Sequence, residues 1–175
     1  MKQTVKMHYL TKKNSTAVES VNYFILISAD SHKNLLSLPS AFDLANSRLK
    51  NRMWGFNNRT KNKSIIKKND RVVIYTSGSR DGGRIFIGYA KIQSVVHEPT
   101  LTEKQKVDSQ YKAQNSLPTI ILYLSNVNFL KSPKSIYSIK NKLACIKNPE
   151  SSKWGAVLQG GSLKIGVKDF EIITA

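Results

Sequence analysis

The sequence predicts a small α+β domain: a curved, mainly antiparallel β-sheet or barrel flanked by a few short helices. Three observations carry that expectation. Apolar, β-branched runs are short and separated by polar turns, which is the pattern of a many-stranded sheet. Helical periods are few and brief, and they do not alternate regularly with strands, so a doubly wound parallel sheet is excluded. Two of the apolar runs flank the glycine-rich segment Ser77-Gly78-Ser79-Arg80-Asp81-Gly82-Gly83, the signature of an antiparallel hairpin.

Taken in chain order, residues 1–20 are polar and lack a sustained period, so they read as a flexible or loosely attached arm. Residues 21–175 read as one domain. The run Asn22-Tyr23-Phe24-Ile25-Leu26-Ile27-Ser28 is apolar at successive positions, which predicts a central strand covered on both faces. Beyond Pro39, residues Ala41, Leu44, Ala45 and Arg48 recur at helical spacing, with Ser40 as N-cap and Asp43 completing a capping box. Positions 52–68 read as a basic loop, 71–76 and 84–96 as the hairpin strands, 101–107 as a short helix and 118–129 as a further strand. After these, 133–143 reads as one or two helical turns and 154–162 as a loop. Residues 163–173 supply a short last strand and a terminal helical turn over 167–172.

Composition narrows the partner. Lys and Arg number 28 against 11 Asp and Glu, a formal charge of +17, and such an excess favours a polyanion. The cations cluster: Arg52, Arg59, Lys61, Lys63, Lys67 and Lys68 follow Lys50 with no acid between them. A single cysteine, Cys145, excludes an internal disulfide framework and a cysteine-based zinc cluster, and it reads as a small core residue in a reducing cytoplasm. His8, His32 and His97 lack metal-ligand spacing. No apolar run reaches the roughly 20 residues of a membrane span. The carboxylates Asp30, Asp43, Asp70, Asp81 and Asp108 are scattered, with no nucleophile–base pair, so no catalytic role and no cofactor or metal are expected.

Within the basic segment, Trp54 stands out because an aromatic ring beside cations suits a nucleobase flanked by phosphates. The order Tyr23-Phe24-Ile25-Leu26-Ile27-Ser28, then Trp54-Gly55, then Lys68-Asn69-Asp70-Arg71-Val72-Val73-Ile74-Tyr75-Thr76-Ser77, then Phe86-Ile87-Gly88-Tyr89-Ala90-Lys91-Ile92 resembles the EVE domain. That family has the PUA-like fold and is related to the YTH readers of methylated adenine. The closing Leu158-Gln159-Gly160-Gly161-Ser162-Leu163 and Asp169-Phe170-Glu171-Ile172-Ile173 are similar to the way these domains end. The resemblance covers about residues 21 to 174.

It implies a module that recognises a modified base, such as a methyladenine or methylcytosine, in DNA or RNA. In some archaea and bacteria such domains precede a modification-dependent restriction GTPase of the McrB type, so a fused or associated GTPase and nuclease are implied partners. DNA is favoured, and a PUA-like RNA binder is the alternative. The base pocket expected from this resemblance and from the residues comprises Trp54 as stacking wall, Ser28, Ala29 and Asp30 after the first strand, Gly55, Ser77, and the further aromatics Tyr75, Tyr111 and Trp154. Asp30 is either an acceptor for an exocyclic amine or the cap of its own turn. Arg52, Arg59, Lys61, Lys63, Arg80 and Arg84 are the expected phosphate contacts. Burying a base methyl is worth only roughly 0.8 kcal/mol, so discrimination by such a pocket needs a hydrogen bond besides stacking.

Overall fold

The computed structural model describes residues 20–30, 39–108 and 117–175. The arm expected over 1–20 therefore lies almost wholly outside the described residues, as do His8, His32 and Tyr111. The elements run β1 (Tyr23–Ser28), α1 (Ala41–Lys50), β2 (Met53–Phe56), β3 (Arg71–Thr76), β4 (Ile85–His97), α2 (Leu101–Asp108), β5 (Ile120–Ser135), α3 (Ile136–Ile139), β6 (Ser162–Ile165) and α4 (Val167–Thr174). A 3-10 turn at Lys140–Lys142 follows α3, and another at Trp154–Leu158 precedes β6.

One six-stranded sheet, in the order β2-β5-β4-β3-β1-β6, curls into a half-barrel. Every neighbouring pair is antiparallel except β1 and β3, which run parallel with Tyr23 opposite Arg71 and Ser28 opposite Thr76. These two strands sit centrally and are buried on both faces, which explains their unbroken apolar sequence. Alternate side chains divide between two cores. Phe24, Leu26, Val72 and Ile74 point inward, where Trp54, Phe56, Leu122 and Leu124 join Ala45 and Leu49 of α1. Ile25, Ile27, Val73 and Tyr75 point outward and are covered by Ile136 and Ile139 of α3, Leu158, and Phe170 and Ile173 of α4.

Helix α1 starts as the sequence predicts: Ser40 Oγ accepts from the Asp43 N–H at 3.1 Å, and the Asp43 carboxylate accepts from the Ser40 N–H at 3.1 Å. Two expectations need correction. The stretch read as a basic loop contains strand β2, because Met53–Phe56 pairs with Ile120–Tyr123 of β5. Strand β5 also continues to Ser135 through the polar Lys131-Ser132-Pro133-Lys134, held by β4 through register shifts that re-aim the strand.

The carboxylates have a shared role. Asp70, fully buried, accepts from the Asn22 and Lys67 N–H groups, both at 2.9 Å. Asp169 accepts from the Ala144 and Cys145 N–H groups at 2.7 and 3.0 Å. Asp30 bridges the Ala41 N–H at the start of α1 and the Ser79 N–H of the hairpin loop, at 2.8 and 3.1 Å. Position 78 must be glycine for that bridge, since a Cβ there would collide with the Asp30 carboxylate. Asp30, Asp70 and Asp169 are thus each bound to two backbone N–H groups.

Candidate nucleic-acid interface

The curl brings the two edge strands of the sheet together at one end. The loop after β2 and the segment before β6 are joined by Lys61 N–H donating to Gly160 O at 2.8 Å and by Ser162 Oγ donating to Lys61 O at 2.5 Å. Gly160 and Gly161, at φ 90° and 82°, supply the left-handed turn that lets this chain approach; the Gly161 carbonyl then accepts from the Ile27 N–H at 2.9 Å. A cavity of about 360 Å3 opens beside this closure, within the roughly 300–1,000 Å3 of small-ligand pockets.

Ser28, Ala29, Asp30, Trp54, Gly55, Ser77 and Arg59 all line that cavity, so most of the base pocket expected from sequence is brought together. Ser28 ends β1 on its inward face and is 2% exposed. Its carbonyl accepts from both the N–H and the Oγ of Ser77, at 2.8 and 3.0 Å. Its own hydroxyl has no hydrogen-bond partner among the described residues. A buried, unmatched hydroxyl costs on the order of 1–3 kcal/mol, and such a group in a native cavity calls for an explanation.

Trp54 is 1% exposed and belongs to the inner core, and the Arg48 guanidinium lies over its ring at 4.7 Å from the centroid. The ring thus does not stand open as a free stacking face. Its inward pleat on β2 packs it among Phe24, Phe56 and Leu122, and Arg48 of α1 covers it. Arg48, Phe56, Asn57, Thr60 and the segment Leu158–Gly161 also line the cavity and were not singled out from sequence as pocket residues. The helical spacing that put Arg48 on the face of Leu44 and Ala45 was a usable signal for it. The Leu158–Gly161 segment was visible only through the family resemblance.

Other expected residues go elsewhere. Tyr75 and Trp154 stand on the outward side of the sheet, Tyr75 because parity along β3 sends Val73 and Tyr75 opposite to Val72 and Ile74, and Trp154 because the 3-10 turn before β6 packs it against the outer core. They line a second cleft of about 390 Å3 with Ser77, Arg84, Tyr137 and Gln159. Burial pushes the Tyr75 hydroxyl up to about 12, against a lowering influence of Arg84, so it remains a donor at neutral pH. Arg80 lines a third depression beside Phe42 and Gly82. Arg52 lies at the far end of β2 from the cavity, in the turn after α1. Lys61 lays its stem against Gly160 at the rim, and Lys63 Nζ donates to Asn58 O at 2.8 Å. Asp30, with its carboxylate oxygens bound to the Ala41 and Ser79 N–H groups, ties the start of α1 to the hairpin loop, a role that neither of its two sequence readings described.

Among the described residues no cluster of three or more His, Cys, Asp or Glu side chains is placed to hold a metal, and no helix is long and apolar enough to cross a membrane.

A curled half-barrel of this strand order with short flanking helices is a PUA-like α+β fold. Three solved structures share it at low sequence identity. Human THYN1, in complex with 5-methylcytosine-containing DNA, superposes with a TM-score of 0.54 at 13% identity, covering 87% of this chain and 95% of that one. The N-terminal domain of Staphylothermus marinus McrB gives 0.53 at 11% identity, covering 86% and 92%. An ASCH protein from Zymomonas mobilis gives 0.51 at 10%, covering 85% and 91%. No family model and no curated protein matches the sequence itself.

Proposed function

We propose that the chain is a non-catalytic module that binds DNA and takes a modified, methylated base, turned out of the strand, into the cavity beside Ser28 and Trp54, as the targeting part of a restriction system. The observation that carries this reading is the buried Ser28 hydroxyl, unpartnered among the described residues in a cavity rimmed by cations. A base edge supplies the missing partner, since every base presents a donor or acceptor there. The flat face of the base lies against the Arg48 guanidinium, which is itself carried on the Trp54 ring; guanidinium planes stack on bases as aromatic rings do. Arg59, which lines the cavity, and Lys61, whose stem packs beside Gly160, supply the cations for the flanking phosphates. Two fold neighbours support the choice of ligand, THYN1 by its complex with 5-methylcytosine-containing DNA and the McrB N-terminal domain by matching the McrB-type context that the sequence resemblance implies.

The test is a titration at fixed salt against matched oligonucleotides, unmodified or carrying N6-methyladenine, 5-methylcytosine or 5-hydroxymethylcytosine, each as DNA and as RNA. Preference for one modified DNA is the expected result. Equal, purely salt-dependent binding to all of them would leave a generic polyanion binder and remove the base pocket. Preference for RNA regardless of modification would put the chain among RNA-binding PUA-like modules.

A further inference from the structure

The outer cleft has its own chemistry. Tyr137, half exposed, and Trp154 stand edge to face with centroids 5.7 Å apart and planes at 76°. A cation attends each ring: the Arg84 guanidinium lies 5.7 Å from the Tyr137 centroid and donates to the Tyr137 hydroxyl, and Lys140 Nζ lies 5.6 Å from the Trp154 centroid. Lys140 is matched by Glu150 at 3.9 Å and by the Pro149 carbonyl at 2.5 Å. Arg84 has no carboxylate within ion-pair distance among the described residues, so its charge faces the cleft and solvent. Tyr75 and Gln159 line the same cleft.

Position matters as much as chemistry. Ser77, Leu158 and Gln159 line both this cleft and the cavity beside Ser28. The two openings are therefore separated by one layer of side chains on the same end of the sheet. A continuous strand entering the first can reach the second without leaving the surface.

We infer that the outer cleft is a second nucleotide subsite, in which Arg84 takes a backbone phosphate and the Tyr137–Trp154 pair takes the base of the nucleotide beside the one turned into the inner cavity. The inference rests on the proposed function for the neighbouring occupant but not for its own ligand, a nucleoside phosphate of any sequence. Stacking on aromatic rings tolerates every base, so this subsite contributes affinity and the inner cavity contributes choice.

The chain has two tryptophans, one in each site, which makes the sites separately readable. In a Trp54→Phe variant all tryptophan emission comes from Trp154, and titration with hexathymidylate is expected to quench it, whereas inorganic phosphate at the same phosphate concentration is not. Adding Arg84→Gln should weaken that quenching titration about tenfold, the usual loss for a charge-assisted contact. Should Trp54→Phe fold poorly, Arg84→Gln and Trp154→Phe are each measured in the otherwise unaltered chain by anisotropy of labelled hexathymidylate, with a loss of similar size expected. A silent Trp154, unchanged affinity in those variants, or equal quenching by inorganic phosphate each overturns the subsite. Preference for a modified base with a silent Trp154 sinks the subsite and spares the proposed function. A quenched Trp154 without any preference does the reverse.

Discussion

The two tryptophans sit on opposite sides of one sheet and serve it differently. Trp54 is sealed into the inner core beneath Arg48, where its bulk is structural before it is anything else. Trp154 belongs to a 3-10 turn on the outer side, leans edge-on against an exposed tyrosine, and has solvent within reach. An aromatic residue in a basic segment therefore says little by itself about ligand contact. What distinguishes the sites is the polar group each presents: in the inner cavity the Ser28 hydroxyl, without a hydrogen-bond partner among the described residues, and in the outer cleft the Arg84 guanidinium, bonded to the Tyr137 hydroxyl but without a carboxylate partner among the described residues.

The largest expected effect breaks the comparison outright. Trp54→Ala should cost about 3–5 kcal/mol of stability, as large core truncations do, while Trp154→Ala should cost far less; urea unfolding of both proteins measures the difference, and equal losses would refute the division. Ser28→Ala sharpens it. Removing a buried hydroxyl without a partner should raise stability by about 1 kcal/mol and weaken oligonucleotide binding roughly fivefold, one hydrogen bond's worth. If stability falls as well, the hydroxyl has a structural partner and the inner cavity loses its strongest feature.

A smaller effect tests the outer side alone. Burial first, then the neighbouring Asp169 charge, push the Cys145 thiol from its usual 9.0 to about 12, and burial raises the Tyr75 hydroxyl from 10.0 to about 12. Both groups are protonated in the folded and unfolded chain at neutral pH. As pH rises past 9 to 10 the unfolded chain releases these protons and the folded one does not, so stability should decline between there and pH 12. Unfolding midpoints measured from neutral to alkaline pH, with Cys145→Ala as control, check the slope. Slow alkylation of Cys145 at mildly alkaline pH, relative to the unfolded chain, is the accompanying chemical readout.

Local signals were legible in the sequence and distant ones were not. The Ser40–Asp43 box marks the start of α1 through contacts three residues apart, and the unbroken apolar runs of β1 and β3 announce strands covered on both faces. Strand β2 was hidden because four residues containing a glycine amid cations have no strand signature until β5 pairs with them. For the site, Ser28 and Trp54 were readable as a strand end and an aromatic in a basic setting. The side of the sheet taken by Tyr75 depends on pleat parity against a register that only the assembled sheet fixes. Leu158–Gly161 reaches the cavity through closure of the half-barrel across roughly a hundred residues of chain, as the bond between Asn62 and Ser162 illustrates.

The assignment of carboxylates to backbone N–H groups separates two kinds of electrostatics. Those bonds are short and partly or fully buried, so dissolved ions barely reach them, whereas the outward cations act over distances that salt screens within about 8–10 Å. Ionic strength then becomes a control that loosens the grip on a polyanion while leaving the folded body in place. On the proposed function, concentrated salt is expected to strip nucleic acid from the chain and leave the fold intact, which would tie its partnership, but not its architecture, to the ionic medium around it.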